Sequence, residues 1–126
     1  MRKLIHTERA PKAVGPYAPA VLSGDTLYVS GQIPLDPATG TLVAGDIRAQ
    51  TRRVLDNIRA VVAAAGFRLE DTVKCTCFLL NMDHFADFNA VYAEVFGSIL
   101  PARETVQVSR LPRDALVEIS AICRRD

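Results

Sequence analysis

Apolar and polar residues alternate with a period of two along five short stretches and recur at three and four along two longer ones. That pattern predicts five strands and two helices. Residues 20–23 and 26–30 are short β-type runs around Gly24-Asp25, a hairpin signal. Gly31-Gln32 ends the second run, and 35–40, LDPATG, is a turn-bearing loop. Ile47, Thr51, Val54, Leu55, Ile58, Val61 and Val62 form the stripe of a helix capped by Asp46, reaching about residue 65 and stopped by Gly66. Residues 71–80 read as a strand with Val73, Cys75, Cys77 and Leu79 on one face. Thr72, Lys74, Thr76, Phe78 and Leu80 occupy the other, so its second half is apolar on both sides and expects cover on both. A second helix spans 83–96, with Asp83 as N-cap, Gly97 as C′ residue, and Phe85, Phe88, Val91, Tyr92 and Val95 as its stripe. Asn89 sits at the stripe's edge. Within 101–119 two more runs flank the turn-rich 110–114. The first places Val106 and Val108 opposite Arg103, Thr105, Gln107 and Ser109; the second places Val117, Ile119 and Ala121 opposite Glu118 and Ser120.

The order β-β-α-β-α-β-β describes an α+β fold, a mixed sheet with two helices packed on one face, as a single domain over 1–126. Two helices cover one face only, yet several strands are apolar on both. The uncovered face therefore expects a second copy of the chain. A cleft at such an interface is where a face carrying Arg103 and Glu118 would find a use.

Composition narrows the classes. A chain of 126 residues, 49% apolar and 23% charged, is ordinary for a folded soluble protein. A formal charge of +1 supplies no field toward nucleic acid or anionic membrane, and the absence of Trp argues against a base-stacking platform. Arg48, Arg52, Arg53 and Arg59 on the first helix, interleaved with Asp56, read as a solvated face. Residues 1–11 lack the apolar segment of a signal peptide, and the Ala/Val run 60–65 is too short for a bilayer, so a cytoplasmic protein is expected. Cys75, Cys77 and Cys123 are odd in number, contain no CxxC and lie in apolar runs. They read as buried free thiols, not metal ligands. His6 and His84 are isolated. Tyr17 lies in the proline-rich loop 10–19, where its ring either caps the core or is aimed at a ligand.

The polar face of 101–119 also has two readings. Arg103 and Glu118 form either a cross-strand ion pair on an exposed hairpin or a binding pair in a pocket. In a pocket the guanidinium is a fork of donors suited to a carboxylate, which points to a small anionic ligand. Glu118 can then position or deprotonate a water, with Thr105 and Ser30 as hydrogen-bond donors. There is no Ser-His or Cys-His pair, no phosphate loop and no dinucleotide fingerprint. Chemistry without a cofactor must be easy: hydration, hydrolysis or tautomerisation of a reactive group.

Residues 10–17, 30–36, Gln50-Thr51, 54–65, Val73-Lys74, Phe85-Ala86, Asn89 and Val91-Tyr92 together resemble the Rid family of the RidA/YjgF type, the reactive intermediate deaminases. So do Pro101-Ala102-Arg103, Arg110-Leu111-Pro112 and Val117-Glu118-Ile119. The resemblance implies chorismate-mutase-like subunits in a homotrimer with clefts between neighbours. It implies hydrolysis of 2-imino acids such as 2-iminopropanoate and 2-iminobutanoate to 2-oxo acids and ammonia, the imines arising from pyridoxal-phosphate dehydratases. Arg103 matches the residue holding the substrate carboxylate, Glu118 the one positioning water, and Tyr17 and Asn89 the cleft residues; Ser30 and Gly31 match the strand end near the ligand. No cofactor or metal is implied. The chain departs from the common pattern at Glu104, at Thr105 where many deaminases carry Cys, and at Ser120. A ligand-binding or regulatory protein on the same scaffold, or a ribonuclease, are the rival functions.

Overall fold

The computed structural model describes residues 2–126. Its strands are β1 (Arg2–Ile5), β2 (Ala20–Ser23), β3 (Thr26–Gln32), β4 (Thr72–Leu79), β5 (Ala102–Gln107) and β6 (Val117–Arg124); its helices are α1 (Ile47–Ala64) and α2 (Phe85–Phe96). They form one sheet in the order β1-β2-β3-β6-β4-β5, antiparallel except where β5 runs parallel to β4. Both helices pack on one face of it. Ile47, Val54, Leu55, Ile58, Val61 and Val62 of α1 and Phe88, Val91 and Phe96 of α2 close over Leu27, Val29, Cys75, Cys77, Leu79, Val117 and Ile119 of the strands. The α+β class and the single helical layer match the expectation.

Four expectations are corrected. A sixth strand exists: β1 pairs with β2 from Arg2↔Ser23 to Ile5↔Ala20. It is an edge strand of four residues with only Ile5 buried, too short to show a period. In β4 a register shift between Thr72 and Lys74 reverses the first alternation. Thr72 is buried beside Cys123, and Val73 faces out. α2 begins at Phe85 after a 3₁₀ turn over Met82–His84, whose lead-in is capped by Asn81 accepting from the Asp83 N–H at 2.9 Å, so Asp83 is not the N-cap. At its other end Gly97 keeps helical angles (φ −62°), and the left-handed residue is Leu100 (φ 55°), whose N–H reaches the Phe96 carbonyl at 2.9 Å.

The fourth correction concerns 101–119. β5 and β6 are not a hairpin, because β4 lies between them. The β4–α2–β5 crossover makes β5 a parallel neighbour of β4, and β4, with Cys75, Cys77 and Leu79 under the helices and Phe78 half-buried opposite, takes a central slot. The connection back to β6 passes through a turn at Pro112–Asp114.

α1 carries two buried amides in its apolar stripe. Asn57 Nδ2 donates to the carbonyls of Ile33 (3.3 Å) and Leu35 (3.0 Å), and its Oδ1 accepts from Arg53 Nε at 3.1 Å. Gln50 Oε1 accepts from the Leu116 N–H at 2.8 Å. Arg48 and Arg52 pair across to Asp87 and Glu94 of α2, not with Asp56 on their own helix. No element covers the second face of the sheet among the described residues, where Leu4, Tyr28 and Val106 are each about half exposed (49%, 51% and 45%). No helix of the described residues is long and apolar enough to cross a membrane.

Candidate functional site

The predicted site residues fall into two clefts rather than one. The first, about 470 Å³, collects Tyr17, Ser30, Gly31 and Glu118 together with Lys12 and Pro112. β3 is irregular between Val29 and Gln32, so Ser30 and Gly31 leave the ladder and turn toward the cleft. The Ser30 N–H donates to the Pro19 carbonyl (2.9 Å) and its hydroxyl to the Ala18 carbonyl (2.7 Å), which ties the proline loop to the strand end. With its proton committed, Ser30 is an acceptor toward a ligand and not the donor expected. Tyr17 is held in a tight turn, its N–H on the Gly15 carbonyl at 2.9 Å, with 47% of its surface exposed. It therefore does not cap the core. Gly31 leaves room for the acid: a Cβ there would come within 2.9 Å of Glu118 Cδ and push the carboxyl aside. Glu118 itself is half-buried, and burial holds its carboxyl above the usual carboxylate range.

The second cleft, about 350 Å³, collects Asn89, Tyr92, Phe96, Leu100, Pro101 and Arg103. Arg103 Nη1 donates to Asn89 Oδ1 at 2.8 Å. Its Cζ lies 4.8 Å from the centre of the Tyr92 ring, 5.6 Å from that of Phe85 and 5.7 Å from that of Phe88. Among the described residues no carboxylate pairs with it. Thr105, two residues along the same face, has a buried hydroxyl beside the Cys77 thiol opposite it in the ladder. Glu104 points the other way, to Lys74 Nζ (3.1 Å) and Thr76 Oγ1 (3.1 Å), and those two hold its carboxyl below the usual range.

Register explains why the clefts are separate. Arg103 sits opposite Cys75, and Cys75 opposite Ala121, all on the helix side of the sheet. Glu118 sits opposite Phe78 on the open side. Arg103 and Glu118 of one chain therefore occupy opposite faces with β4 between them, and the shared face that a hairpin would have given them does not exist. The two buried amides were not singled out from the sequence. Gln50 and Asn57, seven apart within an apolar stripe, were the signal: polar side chains at core positions need partners, and theirs are the loop after Gly31 and the residue two before Glu118. Cys75 lies opposite Arg103 in the ladder, and burial raises Cys75 to about 11 and Cys77 to about 12, so both thiols stay protonated near neutral pH.

A family model described as Endoribonuclease L-PSP matches residues 7–124. The chain belongs to the YjgF/RidA family. A RutC family protein of Sulfurisphaera tokodaii is 59% identical over 121 residues, covering 96% of this chain and 97% of the relative. The 2-iminobutanoate/2-iminopropanoate deaminase of Salmonella typhimurium is 47% identical over 128 residues, covering 99% of each. The solved structure of TdcF from E. coli with bound serine superposes with a TM-score of 0.94 at 43% identity, covering 98% of this chain and 99% of that one. The mixed sheet with two helices is thus a YjgF-type fold, and the six-strand order is its framework.

Proposed function

We propose that the chain hydrolyses 2-imino acids to 2-oxo acids and ammonia, at sites shared between copies of itself. The observation that carries this reading is the half-buried guanidinium of Arg103, which has an amide and three rings for neighbours and no carboxylate among the described residues. A substrate carboxylate supplies the missing anion as a bidentate partner. Glu118 has the opposite character, a half-buried acid with no salt bridge among the described residues. Because the two lie on opposite faces of one sheet, a second copy seated on the open face is what would bring a Glu118 to an Arg103. A homotrimer with one composite cleft at each of three interfaces satisfies this requirement. The deaminase relative from Salmonella and the serine-bound TdcF structure support an amino-acid-like ligand.

In such a cleft Arg103 of one copy holds the carboxylate, and Glu118 of the next accepts a proton from a water beside the imine carbon. A C–O bond forms as the C=N pair moves to nitrogen, which takes up the proton held by Glu118, giving a neutral carbinolamine. Glu118 then carries the carbinol O–H proton to the same nitrogen, the C–N bond breaks, the carbonyl forms and ammonia leaves. Imines hydrolyse readily, so holding water and carbon together supplies the acceleration. The test follows 2-iminobutanoate decay after a threonine dehydratase. Wild type should speed it, and Arg103→Ala and Glu118→Ala should not. Co-expressed Arg103→Ala and Glu118→Ala chains should recover part of the activity through clefts that inherit both intact residues. No recovery would rule out a shared site, and binding of 2-oxobutanoate without faster decay would replace catalysis with ligand sensing.

A further inference from the structure

The Arg103 guanidinium is gripped by more groups than its hydrogen bond requires. Phe85, Phe88 and Tyr92 recur at three and four along α2, so their rings share the helix face that meets β5. All three ring centres lie between 4.8 and 5.7 Å from Cζ, and Asn89, on the same turn, takes Nη1. Tyr92 packs against Phe96 at 5.0 Å and against Phe88 at 5.7 Å with the ring planes tilted by 39° and 38°, which fixes the rings against one another.

We propose that Phe85, Phe88 and Tyr92 are positioning residues that clamp Arg103 for a carboxylate ligand without neutralising it. This rests on Arg103 being the carboxylate anchor. A carboxylate from the protein would orient the guanidinium equally well, but it would occupy the donors and cancel the charge that the ligand needs. Ring faces attract the cation through their quadrupoles and take no N–H bond. Nε and Nη2 are left for a bidentate partner. A loose arginine loses its rotamer freedom when the ligand arrives; a clamped one has lost it on folding. The clamp therefore acts on ligand affinity and leaves the chemistry on the imine untouched. The Tyr92 hydroxyl has no part in it, being buried beside the Cys75 thiol and away from the guanidinium's hydrogen bond to Asn89.

Phe85→Leu and Tyr92→Leu, made in the assembled protein, test this, with Tyr92→Phe as the conservative variant that keeps the ring. Phe85 is only half-buried at the first residue of α2, so its variant should fold even if Tyr92→Leu does not. Imine-decay kinetics and calorimetric titration with 2-oxobutanoate are both read. The expected result is a KM and a 2-oxobutanoate Kd raised about threefold to tenfold in the leucine variants, the scale of freezing one long side chain. The kcat should hold within about twofold, and Tyr92→Phe should restore KM. Unchanged KM and Kd in Phe85→Leu, or a fall in kcat at constant KM, overturns the clamp. If wild type fails to hydrolyse the imine while Phe85→Leu still binds 2-oxobutanoate more weakly, the clamp stands and the hydrolytic function falls.

Discussion

Glu118 shows how one residue's surroundings set its behaviour. It lies on the open face of the sheet with the Gly31 backbone against its carboxyl, and burial raises its pKa. Glu104, also on that face, is lowered by Lys74 and Thr76. A raised carboxyl favours the protonated form in the folded state. Its stabilising contribution is complete below the ordinary glutamate range and is lost as pH climbs through the folded-state value. In a single chain kept from its copies by Tyr28→Asp on the open face, Glu118→Gln, which cannot ionise, should therefore raise Tm at pH 7 and leave it unchanged near pH 3, measured by calorimetry at both. Equal Tm values at pH 7 would show that the carboxylate has a compensating cation. The alternation of Glu118 and Ser120 against Val117 and Ile119 was legible in the sequence, because a strand's side chains alternate whatever it pairs with. The acidity of Glu118 was not, since it depends on Gly31, from a strand 87 positions away in the chain.

At the scale of elements, α1 does more than cover the sheet. Asn57 is fully buried and ties the backbone of Ile33 and Leu35, the segment that follows Gly31, to the helix. Asn57→Ala strands two buried carbonyls and the Arg53 Nε bond at once. It should cost about 2–4 kcal/mol in urea denaturation, from the usual penalty for unsatisfied buried groups. A cost below about 1 kcal/mol would show that water replaces the amide. Asp46 and the ends of α1 followed from local chemistry, and the structure has the Asp46 carboxylate accepting from the Ala49 N–H at 3.0 Å. The ends of α2 did not. Asn81 competed successfully with Asp83 as a cap, and the left-handed turn fell on Leu100 three residues after Gly97. Capping signals identify a helix end only to within a turn, and tertiary packing selects among the candidates.

At the scale of the molecule, the open sheet face matters most. Leu4, Tyr28 and Val106 lie about half exposed there, with Phe78 and Ile122 among them half-buried. A second copy covering this face is the arrangement proposed above for joining Glu118 to Arg103. Tyr28→Asp places a charge in the middle of that apolar surface without touching either cleft. Sedimentation should show the mass falling toward a single chain, and imine hydrolysis should fall with it while circular dichroism is unchanged. Full activity in a monodisperse single chain would instead mean that one copy suffices. The same pairing logic explains β4. Its apolar residues on both faces ask for cover on both sides; the helices cover Cys75, Cys77 and Leu79, and Phe78 lies half-buried on the open face.

By itself the chain determined the two helices, five of six strands, the two faces of β5 and β6 and the guanidinium and carboxylate from which the proposed site is built. Those follow from local periodicity and side-chain chemistry, which act within a few residues. Only tertiary structure decided that β4 separates β5 from β6, and hence that Arg103 and Glu118 stand on opposite faces. Strand pairing is a choice among distant partners, made by burial of whole faces and by the handed crossover through α2, and no pattern within 101–119 encodes it.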